Sequence, residues 1–128
     1  MSAPATTAEK EYTGGCHCAR FRYAFTHAPF AQGETAVEAC NCSICDAKGA
    51  IWALVPEDKF RLTKGALGEL TLYEFHKRVY KHYFCPTCGV ALVLGVPSKR
   101  EVHVNVRATD GVDVGKLKVT VFDGKNLL

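Results

Sequence analysis

Three clusters of cysteine hold the chemistry that this chain could do. They are Cys16-His17-Cys18, Cys40-Asn41-Cys42-Ser43-Ile44-Cys45 and Cys85-Pro86-Thr87-Cys88, and they account for all seven cysteines of the 128 residues. Seven thiols cannot pair completely as disulfides. Clustered thiols in a chain without a secretory leader point to metal or redox chemistry in a reducing compartment. Metal is the reading that uses every cysteine.

Cys85-Pro86-Thr87-Cys88 followed by Gly89 is a knuckle, a turn that points two sulfurs at one ion. Knuckles usually supply half of a four-sulfur zinc site, and Cys16 and Cys18 are the natural other half. Such a site is closed and structural. It would tie the start of the chain to a hairpin roughly 70 residues later and feed its binding energy into folding.

Cys40, Cys42 and Cys45 then remain as three ligands. Catalytic zinc keeps three protein ligands so that a fourth position is open to water or substrate. A three-thiolate site is soft and favours an incoming thiol, whose proton the metal would displace to leave a nucleophile at neutral pH. The bland alternative is a second structural site with a fourth ligand from His17, His76, His82 or His103. An iron–sulfur cluster is the weaker reading, because it also needs four thiolates and these spacings differ from ferredoxin runs. A redox Cys-x-x-Cys would need a βαβ pattern around Cys85 and Cys88, which is absent.

Stepping outward from the ligands, Phe21, Tyr23 and Phe25 alternate with Arg20, Arg22 and Ala24, the period of a half-buried strand. Gly14-Gly15 before them reads as a turn beside Cys16. Residues 27–36 read as a loop leading into a short strand that delivers Cys40. The segment 40–49 reads as irregular, with room for a helical turn capped by Ser43. Strands are expected over 50–55, 60–62, 70–75, 79–84, 91–96, 102–106 and 118–122, where β-branched and aromatic residues gather between turns. No helical period persists for ten residues. The class is therefore mainly β, with cysteine-bearing loops.

With 48% hydrophobic residues the chain can bury a small core, and its longest apolar run, 90–96, is far short of a membrane span. Residues 1–10 read as a disordered tail without the marks of a signal peptide, and 11–128 as one zinc domain, cytoplasmic in location. The formal charge of +3 counts every cysteine as neutral. Zinc on four thiolates contributes a net −2 and zinc on three a net −1, so the loaded chain is neutral and net charge gives no nucleic-acid footprint.

Gly14-Gly15-Cys16-His17-Cys18, the Cys40 to Cys45 run and His82-Tyr83-Phe84-Cys85-Pro86-Thr87-Cys88-Gly89 together resemble the glutathione-dependent formaldehyde-activating enzyme and centromere protein V (GFA/CENP-V) family. Asn105-Val106-Arg107, Asp110-Gly111 and Phe122-Asp123-Gly124-Lys125 resemble its C-terminal part. The resemblance implies a β-tent fold of small antiparallel sheets. It implies structural zinc on Cys16, Cys18, Cys85 and Cys88, and a second zinc on Cys40, Cys42 and Cys45. It also implies the family's activity, a carbon–sulfur lyase joining glutathione to formaldehyde to give S-hydroxymethylglutathione. Ala19, where the family often has Gly, and Ala108, where it often has Cys or another small residue, depart from the pattern without touching a ligand.

On this reading Cys40, Cys42 and Cys45 are the catalytic set, and the partners are a small thiol such as glutathione and a small aldehyde. Cations for the glutathione carboxylates could come from Arg20, Arg22, His76, Lys77, Arg78, Lys81 or Arg107. Trp52 is either a pocket wall or core. His17 and His82 could carry protons or support the metal ligands, and Asn41 and Ser43 could hydrogen-bond the ligating sulfurs. The competing function is a binding module in which both metals only hold the scaffold and a strip such as Lys77-Arg78-Lys81 meets a protein or nucleic acid.

Overall fold

The computed structural model describes residues 9–30, 36–75 and 77–127. The mainly β class is what it has. Among the described residues ten strands form two sheets: β1 (Lys10–Gly15), β2 (Arg22–His27), β3 (Ala36–Cys40), β4 (Trp52–Pro56), β5 (Phe60–Lys64), β6 (Thr71–Tyr73), β7 (Lys81–Phe84), β8 (Ala91–Val96), β9 (Glu101–Asn105) and β10 (Lys118–Phe122). Two short helices, α1 (Ser43–Lys48) and α2 (Gly124–Leu127), complete it with several 3-10 turns. The smaller sheet has the order β1-β2-β5 and the larger β10-β3-β4-β9-β8-β7-β6. All pairings are antiparallel except that of β10 with β3. Most of the tail expected over residues 1–10 lies outside the described residues; Lys10 already pairs with His27.

The alternation of Phe21, Tyr23 and Phe25 does its work at the centre. All three are fully buried, and they meet Val55, Val93 and Val104 from one face of the larger sheet. The small sheet therefore covers that face, and burying three aromatic rings there supplies much of the hydrophobic stabilisation. A second cluster on the same face, Val37, Ile51, Ala53 and Val106, extends the core toward the far edge. The other face of the larger sheet carries residues of opposite parity. His82 pairs with Leu94, Leu94 with His103, and His103 with Leu54, a row across four strands pointing away from the core.

Gly14-Gly15 corrects the expectation of a turn. Both residues end β1, opposite Tyr23 and Arg22. The glycines are needed for approach: a Cβ on Gly14 would stand 2.4 Å from the Ala108 carbonyl oxygen and 2.6 Å from the Tyr23 hydroxyl. That hydroxyl shares a 2.9 Å hydrogen bond with Thr109 Oγ1 and donates to the Asn105 carbonyl at 3.3 Å. Burial pushes the Tyr23 phenol up to about 12, so it stays a neutral donor. Asn105 in turn donates from Nδ2 to the Ala91 carbonyl. The Asn105 to Asp110 stretch thus fastens β9 to the small sheet, with Asp110 paired to Arg22 and accepting from Thr13.

Candidate metal centre and cavity

The first and last cysteine pairs meet between the sheets. Cys16 follows β1, and its carbonyl accepts from Ala19 N–H in a turn that leads to Phe21. Ala19 sits at φ 65°, a left-handed conformation that favours glycine, so Ala19 bears some strain. Cys85 and Cys88 follow β7, and Gly89 at φ 79° closes the knuckle with its N–H on the Cys85 carbonyl.

The Cys16 and Cys18 sulfurs lie 3.7 Å apart, as do those of Cys18 and Cys85, and all four are within 4.8 Å of one another. A disulfide needs about 2.05 Å. Bonds of about 2.3 Å to a tetrahedral zinc give sulfur–sulfur edges of about 3.8 Å, so this donor set fits the ion. Backbone N–H groups already face the sulfurs, Phe21 onto Cys16 and Thr87 and Cys88 onto Cys85. Burial works against the Cys85 thiolate, but the Cys88 and Thr87 N–H groups and the neighbouring thiols outweigh it and bring Cys85 down to about 6.

Cys40, Cys42 and Cys45 converge on the opposite face of the larger sheet. β3 delivers Cys40, and α1 begins after Cys42 and brings Cys45 round by one turn. Cys42 occupies the N-cap position without a side-chain cap hydrogen bond and Ser43 is the first helical residue, so the cap expected from Ser43 is not made. The three sulfurs lie within 4.8 Å of one another, and no fourth His, Cys, Asp or Glu side chain among the described residues joins them. Of the expected fourth ligands, His76 lies outside the described residues, His17 is exposed beside the other cluster, and His82 and His103 stand off in the cavity wall.

The three thiols are unlike. Burial raises Cys40. Burial also raises Cys45, to about 12, although the Trp52 indole approaches it and favours its thiolate. That indole N–H falls short of hydrogen-bond geometry and has no partner. For Cys42 burial is outweighed by the Cys45 and Ile44 N–H groups and the adjacent thiols, and its pKa is held low. The Cys42 N–H in turn faces Cys40 Sγ at 3.5 Å. Asn41 does not serve the sulfurs. It donates to Asp123 at 3.0 Å and accepts from Lys125 N–H at 2.9 Å, so the Phe122 to Lys125 stretch buckles the C-terminal part onto the triplet loop.

The triplet opens onto a cavity of about 680 Å³ floored by Trp52, Leu54, His82, Leu94 and His103. Trp52 is both wall and core, 2% exposed and packed with Cys45 and Leu94. His82 is also 2% exposed, with Nδ1 lacking a partner; burial, then the Lys48 charge, lower it to about 4. His103 Nε2 lies 3.3 Å from Glu101 Oε1, a pairing not expected from their positions in the chain.

Among the expected cations, Lys77 and Arg78 line the cavity, joined by Lys99 and Lys125, which were not expected. None of these four has an ion-pair partner among the described residues. Arg20, Arg22 and Lys81 are engaged with Glu69, Asp110 and Glu74, and Arg107 donates to the Gly49 carbonyl beside a separate small cavity. The basic strip Lys77-Arg78-Lys81 is therefore divided, two members facing the cavity and one neutralised.

No helix among the described residues is long and apolar enough to cross a membrane. A family model described as glutathione-dependent formaldehyde-activating enzyme matches residues 11–122. The crystal structure of a Rhodobacter sphaeroides protein is similar at a TM-score of 0.69 and 34% identity, covering 84% of this chain and 99% of that one.

Proposed function

The chain belongs to the glutathione-dependent formaldehyde-activating enzyme family, and from that premise we propose that it adds a small thiol, glutathione, to an aldehyde such as formaldehyde. It would then be a carbon–sulfur lyase of the S-(hydroxymethyl)glutathione synthase type, with Cys40, Cys42 and Cys45 at the reacting centre. The observation that carries this reading is a three-sulfur cluster without a fourth protein ligand among the described residues, opening onto a cavity rimmed by unpaired cations.

Zinc held by the three thiolates would supply a Lewis acid that lowers the pKa of an incoming thiol. The chain's own residues do the rest. Lys77, Arg78, Lys99 and Lys125 receive the carboxylates of glutathione and orient its thiol toward the triplet. Trp52 and Leu94 pack against the cysteines and keep bulk water from that side. The addition moves a proton from sulfur to oxygen. His82, buried and held neutral, is poorly placed to cycle protons, whereas His103, oriented through Nε2 by Glu101, can take and return one at Nδ1.

The test is the rate of adduct formation with zinc-loaded protein and with Cys42→Ala. The full chain is expected to exceed the buffer reaction, and Cys42→Ala to fall to it while retaining the metal on Cys16, Cys18, Cys85 and Cys88. Equal rates for protein and buffer would sink the reading.

A further inference from the structure

Formaldehyde is one carbon and one oxygen without apolar surface, and glutathione is a chain of amides and carboxylates. Neither explains the lining of this cavity. Among the described residues nine large apolar side chains are exposed, and four of them, Leu54 at 38%, Val79 at 39%, Phe122 at 38% and Leu127 at 68%, line it. Scattered exposed apolar residues need no explanation, but a gathering around one concavity marks a binding surface.

Their placement relative to the sulfurs says which reactant they serve. The reacting carbon must lie beside the thiol sulfur, next to Cys40, Cys42 and Cys45. Trp52 and Leu94 pack directly against those cysteines. Leu54 follows Trp52 on the same face of β4, and Val96 follows Leu94 along β8, so two short apolar runs lead away from the triplet along the cavity floor on either side of His103 and Glu101 of β9, and Leu54 is the member that offers them open surface. The unpaired cations stand elsewhere: Lys77 and Arg78 between β6 and β7, Lys99 in the turn after β8, and Lys125 in α2. The loops and α2 thus hold all four unpaired cations for the thiol, with Val79 and Leu127 beside them, whereas the sheet floor next to the sulfurs carries no cation and offers its apolar side chains to the carbonyl compound.

We propose that the aldehyde this cavity takes carries an apolar body of several carbons, aliphatic or aromatic, laid along Trp52, Leu54, Leu94 and Val96. The inference rests on the thiol-addition reading above and names its second substrate class. The step balances without oxidant or reductant. The sulfur lone pair forms the carbon–sulfur bond, the carbonyl π pair moves to oxygen, the thiol gives up its proton and the oxygen takes one.

Two measurements on the full chain test it. In the first, glutathione is fixed and the rate above buffer is followed for formaldehyde, propanal, pentanal and benzaldehyde. The specificity constant is expected to rise about fourfold per added methylene over the first few carbons, and Leu54→Asn to flatten the series. A flat or falling series in an active protein overturns the proposal and leaves thiol addition standing. A gain that follows chain length in alkanethiols instead of aldehydes also overturns it.

The second needs no turnover. Trp52 is the chain's one tryptophan, so its fluorescence reports occupancy by unreactive amides. Hexanamide is expected to bind at least tenfold tighter than formamide, and equal affinity overturns the proposal. Inactivity toward every aldehyde would remove the thiol-addition reading while this series still decides the apolar site.

Discussion

His82 shows how a single side chain binds the site to the scaffold. Its ring lies beside that of Phe75, 2% exposed, and its pKa is lowered from 6.5 to about 4 by burial and then by Lys48. The sign follows from linkage. The unfolded chain takes the proton near 6.5, the folded one only near 4, so this contribution to stability is full above 6.5 and declines as pH falls toward 4. Between pH 7 and 5 the loss is expected to be about 2 kcal/mol. Acid also protonates the thiolates, so the informative quantity is the difference between the chain and His82→Phe in denaturant unfolding at the two pH values. An identical acid loss in both would show that His82 carries none of it.

At the scale of elements, β1 is the strand that local pattern hid. Lys10–Gly15 reads Lys-Glu-Tyr-Thr-Gly-Gly, with one apolar residue and two glycines, yet it pairs along its full length with β2. Its glycines are placed by close approach rather than by a turn. Gly14→Ala forces a Cβ onto the Ala108 carbonyl and the Tyr23 hydroxyl and is expected to cost about 1–3 kcal/mol. Gly68→Ala meets nothing within 4 Å and is expected to be neutral or stabilising by about 0.4–1 kcal/mol. Denaturant midpoints of the two variants check this, and equal midpoints would refute the packing account of Gly14. α1 was likewise only half legible, because six residues carry too little period to announce a helix.

For the whole molecule, the two cysteine clusters lie on opposite sides of the larger sheet and have different mechanical duties. Cys16 and Cys18 stand between β1 and β2, and Cys85 and Cys88 between β7 and β8, so an ion there joins both sheets. The triplet spans only the stretch from β3 through α1. Titration of zinc-loaded protein with a chelator is therefore expected to release metal in two steps. The first, from the triplet, leaves the β circular dichroism unchanged, and the second coincides with unfolding. A single step in which all metal leaves as the fold melts would contradict this division.

Much of this molecule was decided locally. The period of two at Phe21, Tyr23 and Phe25, the knuckle at Cys85 to Cys88 and the parity of seven cysteines need only neighbouring residues to be read, and they pointed to the β class and to the two cysteine groups that could hold metal. The cavity was not decidable that way. His82, Leu94, His103 and Leu54 come together because four strands align in one register, and Asn41 meets Asp123 across 82 positions of sequence. Register and parity across a sheet are set by which face the core claims, a property of the packed whole. Only tertiary structure could therefore say that the three leftover cysteines face a pocket, and that its floor sets two histidines among apolar side chains.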